Sequence, residues 1–113
     1  MNRDQHIAIG LVAFAVYVIL LNYLKPVQLD SVVYGGIAAV VSSVLPDWIE
    51  PARSWKHRAF GHSKRVLRWS LMLFLLSTIL TLLYPYGLVI SGALLGYASH
   101  LLADSTTPVG LPD

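Results

Sequence analysis

The stretch Ile7 to Leu24, IAIGLVAFAVYVILLNYL, carries no charged residue, and its reading decides the fold. About 20 apolar residues cross a bilayer core as helix, with about 17 as the lower limit. This run meets that length, although the charged start before it also resembles a secretion signal. It is longer than the usual apolar core of a signal peptide, and no clear small-x-small cleavage site follows it. With further apolar runs downstream, it reads as a retained first transmembrane helix.

Outward from that helix, Val66 to Tyr84 qualifies as a crossing despite Arg68 near its start, and so does Tyr86 to Ala103. A shorter run from about Val32 to Leu45 is rich in Gly and Ala. To cross, it must draw in flanking residues from Val27 onward, or lie in a thinned or protein-buried setting. Lys25-Pro26 and Tyr84-Pro85-Tyr86 read as tight turns, because Pro breaks the helix that precedes it. Pro46 to Arg65 is the substantial polar segment. The expected fold class is all-α: a polytopic membrane protein, one helical domain over residues 1–113. It is a bundle of about four transmembrane helices with a polar loop between helices 2 and 3.

Composition points the same way. Hydrophobic residues make up 56% of the 113 and charged residues 12%, and the mean hydropathy is +0.64. A soluble domain carries about 25% charged residues, so this chain lacks the polar surface for a water-facing body. The absence of Cys excludes disulfides and thiolate metal ligands. A net charge of +2 is too small to argue for nucleic acid. There is no internal repeat and no low-complexity tract.

How the charge is distributed says more than its size. Counting crossings, Arg3, Arg53, Lys56, Arg58, Lys64, Arg65 and Arg68 fall on the side that holds the N-terminus, and Lys25 alone on the other. The positive-inside rule then makes the first side cytoplasmic, with both termini and the polar loop. Lys56, Lys64, Arg65 and Arg68 suit contact with anionic headgroups. Gly35, Gly36, Ala38 and Ala39, with Gly92, Ala93 and Gly96, allow close backbone approach. Gly92 and Gly96 have the small-xxx-small spacing. Packing within the protomer is the favoured reading of these residues, ahead of a dimer interface.

The same count gathers His6, Asp47, Glu50, His57, His62, His100 and Asp104 on the basic side, although they are scattered along the sequence. Ionisable groups at membrane depth are costly and usually functional. His100 and Asp104, four apart on a helix, project from one face. They can bind one cation, or Asp104 can orient the imidazole. A helix-end His capping carbonyls is the plainer alternative. His57 and His62 offer two imidazoles on a loop with Arg58 between, which could take an oxyanion in bidentate fashion. Asp47 and Glu50 can share a face as oxygen ligands, or simply end a helix as solvated acids. His6 taken singly reads as an interfacial residue.

Taken together, these residues point to a divalent metal. Imidazole and carboxylate without thiolate suit Zn²⁺ first, then Mn²⁺ or Fe²⁺. The donors outnumber the needs of one tetrahedral ion, so one or two ions fit. Asp47 or Asp104 could serve as base.

The chain resembles the YdjM-type family of membrane-bound metal-dependent hydrolases. The resemblance rests on His6 before a Gly-containing apolar helix, Leu45-Pro46-Asp47, His57-Arg58, His62-Ser63, and Gly96-Tyr97-Ala98-Ser99-His100-Leu101-Leu102-Ala103-Asp104 running on to Thr107. It covers nearly the whole chain. It implies that His6, Asp47, His57, His62, His100 and Asp104 are the polar site residues of a hydrolase acting at the membrane. Two departures stand out. Ile49 occupies the position of a second Asp, for which Glu50 can substitute. The chain also ends at Asp113, where many relatives continue, which implies a minimal member or one completed by a partner subunit or homo-oligomer.

The expected partners are the lipid bilayer and a membrane-associated substrate, with no nucleic acid. The expected reaction is hydrolysis of a phosphoester or another ester of a lipid-like molecule. The alternative is a non-catalytic membrane subunit whose His/Asp cluster is structural. A carrier is disfavoured, because transport places polar groups near the midplane and the long spans are almost free of them there.

Overall fold

The computed structural model describes residues 3–49 and 63–106. Among these residues the chain forms four helices and no strand: α1 Arg3–Leu24, α2 Leu29–Ile49, α3 Lys64–Leu83 and α4 Gly87–Ser105. All four are long and apolar enough to cross a membrane. At 19 to 22 residues each is about 29–33 Å long, matching a hydrocarbon core of about 30 Å. The expected all-α membrane bundle is what the chain forms.

Each boundary has a local cause. Asp4 sits in the first turn of α1, where a negative charge suits the helix dipole. Lys25-Pro26 ends that helix, and the Val27 N–H donates to Asn22 Oδ1 at 3.2 Å to hold the turn. Ser63 caps α3, its hydroxyl accepting from the Val66 N–H at 3.1 Å. Pro85 separates α3 from α4, and the Gly87 N–H closes the turn on the Tyr84 carbonyl at 2.9 Å.

One boundary departs from expectation. Pro46 lies inside α2, which runs on through Asp47 and Trp48 to Ile49. The short apolar run therefore does recruit flanking residues, from Leu29 at one end and beyond Pro46 at the other. Proline removes one backbone donor, and in membrane helices neighbouring groups take up what it releases. The helix continues because α4 packs along it.

Helix α4 is central. Of its apolar window 61% is buried, against 39% for α2 and 17% each for α1 and α3. α2 makes the most extensive contact with it, then α3, then α1, and α1 also packs on α2. Lipid tails are as apolar as leucine, so helices meet through close packing and hydrogen bonds rather than a hydrophobic drive. Gly92 faces the Gly35 carbonyl and Gly96 the Ala39 carbonyl, so the small residues serve the α2–α4 contact within the protomer. Several buried hydroxyls find partners, as where Thr81 Oγ1 of α3 and Ser91 Oγ of α4 share a hydrogen bond at 3.1 Å.

Between α1 and α3 the bridge is Tyr17, whose hydroxyl lies 2.9 Å from Thr78 Oγ1 and whose ring packs on Phe74. Substituting Tyr17→Phe should cost about 0.6 kcal/mol, the mean for such bonds in membrane proteins. Unfolding in mixed detergent micelles would read it, and no measurable loss would mean that the ring contact alone joins the two helices.

The surface has an aromatic girdle at each end. Tyr23, Tyr34, Tyr84 and Tyr86 are exposed at the α1–α2 and α3–α4 turns, and Trp48 and Trp69 at the opposite end. At the turn end, the Tyr86 hydroxyl donates to Asp30 Oδ2 at 2.6 Å. That bond raises the Tyr86 pKa above the usual phenol value.

Candidate metal centre

The end of the bundle with the two Trp residues also holds the start of α1 and the last turns of α2 and α4. Four ionisable side chains converge there. His6 and His100 are buried at 1% and 0% exposure. The Asp104 side chain is 6% exposed and that of Asp47 is 33% exposed. His100 and Asp104 share one face of α4, as their spacing of four requires.

The distances are short and mutually consistent. His6 Nε2 lies 3.3 Å from Asp104 Oδ1, and His100 Nε2 lies 3.2 Å from Asp104 Oδ2 and 3.4 Å from Asp47 Oδ1. A tetrahedron of ligands at the usual zinc distances of about 2.0–2.1 Å has an edge of about 3.3–3.4 Å. His6, Asp47 and His100 each offer a ligand atom within 4.8 Å of the others. The His6 ring is buried, its Nδ1 has no hydrogen-bond partner, and its Nε2 faces only the Asp104 carboxylate among the described residues. Buried polar atoms are normally satisfied, so this imidazole fits a cation.

The ring orientations add detail. The His6 and His100 rings stack with centroids 3.5 Å apart and planes 14° apart. Their in-plane lone pairs therefore run in nearly parallel planes and do not converge on one point. Asp104 spans the pair instead, turning one carboxylate oxygen to each ring. His100 Nδ1 lies 2.6 Å from the Ser43 carbonyl. A carbonyl only accepts, so Nδ1 carries the hydrogen, which in the neutral ring leaves the Nε2 lone pair directed at the carboxylates.

Of the residues singled out from the sequence, His6, Asp47, His100 and Asp104 are brought together. Glu50, His57, Arg58 and His62 lie outside the described residues. Two contributors carry no signal of their own type. Gly10, one turn after His6, lets α1 close on α2; a Cβ there would meet Ser43 Cβ at 2.9 Å and the Ser99 hydroxyl at 3.5 Å. The spacing of four from His6 is the only hint. Ser43 contributes through its backbone carbonyl, which no side-chain pattern reveals.

The sequence profile of one family, described as YdjM inner membrane protein, matches residues 1–112. The proteins called inner membrane protein YdjM of Escherichia coli (strain K12) and of Shigella flexneri are each 35% identical to this chain over 95 residues. Each alignment covers 66% of this chain and 45% of the relative, so the chain spans about half the length of these relatives. No solved structure matches the chain.

Proposed function

The chain belongs to the YdjM inner membrane protein family, and from that premise we propose that it is a membrane-bound metal-dependent hydrolase with its His/Asp site at the cytoplasmic face. The observation that carries this reading is the convergence of His6, Asp47, His100 and Asp104 from three helices at one end of the bundle. Ionisable groups are expensive at membrane depth, and this set has the donor chemistry of a zinc site, with Mn²⁺ or Fe²⁺ as alternatives. The basic residues Arg3, Lys64, Arg65 and Arg68 at the same end support the cytoplasmic orientation.

His6, His100 and Asp104 would hold one or two ions, and Asp104 turns one carboxylate oxygen to each ring. The Ser43 carbonyl keeps His100 in the tautomer that presents Nε2. A metal held there would supply Lewis acidity to water and to the ester. Asp47 is the member of the four with substantial access, and its carboxylate accepts the proton from the attacking water. Glu50, His57 and His62 would supply further ligands, and Arg58 would hold the anionic group of a phosphoester or related lipid-like substrate.

A second reading is favoured by burial. A catalytic metal keeps an open position, whereas a structural one is closed, and three of the four side chains are nearly inaccessible. In that case the cluster ties the helix ends together in a membrane subunit of a larger assembly.

Metal analysis of the purified protein in detergent, paired with hydrolysis of a generic phosphodiester, separates the two readings. The hydrolase reading expects stoichiometric metal and turnover. With Asp104→Ala both should fall by more than the roughly 10–100-fold typical of supporting residues. Metal without turnover supports the structural subunit. No metal in the unaltered protein rejects both metal-bound forms.

A further inference from the structure

A groove of about 800 Å³ runs between α1 and α2 on the membrane-facing side of the bundle. Leu11, Phe14 and Val18 form one wall, and Val33, Gly36 and Val40 the other; the whole lining is apolar. Its volume lies within the range of about 300–1,000 Å³ usual for small-molecule sites. Gly36 leaves it open: a Cβ there would meet only the Phe14 ring, at 3.5 Å or beyond. The groove has a direction. Val33, Gly36 and Val40 follow the helical repeat, and the next positions on that face are Ser43 and Asp47. Asp47 is one-third exposed and lies about 10 Å along α2 from Val40. The apolar trough ends at Val40 and Val41, where α1 closes on α2 through Gly10 and Ser43, and Asp47 lies just beyond that seam at the same end of the bundle.

We propose that this groove seats one hydrocarbon chain of a membrane lipid, with the ester headgroup of that lipid at the level of Asp47. The substrate of the hydrolytic site is then a chain-bearing lipid; this extension rests on the hydrolase reading above. The groove is continuous with the lipid-facing surface, where Leu11, Val33 and Val41 are all exposed, so hydrocarbon already surrounds it. A helix from a second copy suits it poorly. Helices in membranes associate through small residues and hydrogen bonds. Here Gly35, Gly92 and Gly96 are committed to the α2–α4 contact, and the groove lining, with Ala15 and Gly36 as its small residues, has no hydrogen-bonding side chain. A chain followed by a polar head matches the order of apolar trough and ionisable cluster; a transmembrane helix does not.

The test uses full-length protein in phosphatidylethanolamine nanodiscs containing a minor fraction of phosphatidylglycerol with a diazirine midway along one acyl chain. After irradiation, labelled peptides are mapped by mass spectrometry. Labelling of Leu11, Ala15, Gly36 and Val40 should exceed that of the more exposed Leu75 and Leu76 of α3 several-fold. Filling the groove with Ala15→Phe, at an exposed position, should abolish that excess while metal content stays at the unaltered level. Even labelling of α1, α2 and α3 overturns the proposal. So does a cross-link between two copies through the groove, which would make it a dimer face. Loss of the hydrolase reading would instead appear as absent metal with groove labelling intact, so the two failures are distinguishable.

Discussion

Replacing Gly96 with Leu is expected to abolish the folded bundle, whereas Gly36→Ala is expected to leave it nearly unchanged. Even a Cβ at Gly96 would strike the Ala39 carbonyl oxygen, with the Ala39 carbonyl carbon and Cα both at 3.0 Å. Backbone cannot turn aside as a side chain can, so α2 and α4 must separate. Overpacking of a well-packed interior costs about 1–3 kcal/mol, occasionally more. At this position the larger side chain also pushes apart the most extensive helix contact of the bundle. His100 lies one turn beyond Gly96, so the Ser43 carbonyl would move away from its imidazole as well. At Gly36 a Cβ comes no closer than 3.5 Å to the Phe14 ring, an ordinary contact. Thermal unfolding and limited proteolysis in detergent would compare the two variants. Equal stability of both would show that the α2–α4 contact is looser than these distances imply.

The second large effect is expected from His100→Ala. The ring is fully buried, stacks on His6, meets the Ser43 carbonyl through Nδ1 and approaches two carboxylates through Nε2. Its removal opens a cavity, leaves the Ser43 carbonyl without the ring it faces, and leaves Asp104 with His6 as the remaining imidazole of the described four. A buried polar group stripped of its partner costs about 1–3 kcal/mol, and a large-to-small substitution at a fully buried site about 2–5 kcal/mol through the cavity it opens. A loss of about 2–5 kcal/mol is therefore expected, together with metal content at background. Unfolding and metal analysis of the same preparation would check both. Full metal content in the variant would remove His100 from the ligand set whatever the stability change.

Much of this was legible in the sequence, for physical reasons that act locally. Hydropathy and length identify spans because a bilayer demands internal hydrogen bonding and apolar side chains over a defined distance. The pairing of His100 with Asp104 follows from helical geometry alone, since residues four apart share a face. The reading of Pro46 as a boundary misses because a proline inside a membrane helix is tolerated when its neighbours compensate. That is a property of α4 packing on α2, not of α2 itself.

Equally, Gly35 and Gly36 are adjacent and identical in type. A Cβ on the first would meet Phe14 and Leu88 at about 3.0 Å, whereas the second borders an open groove, and nothing in the local pattern distinguishes them. His6 shows the same limit. Taken singly it reads as an interfacial histidine, yet the structure buries it against His100 because Gly10 lets α1 approach α2.

By itself the sequence determined that this is a helical membrane protein and that His6, Asp47, His100 and Asp104 gather at one end, since crossings can be counted along a chain. Which of them meet was decided by the tertiary structure alone. Contact between His6 and His100 depends on how closely three helices approach. That distance is set by glycines and a backbone carbonyl acting across helices, where no sequence spacing reaches.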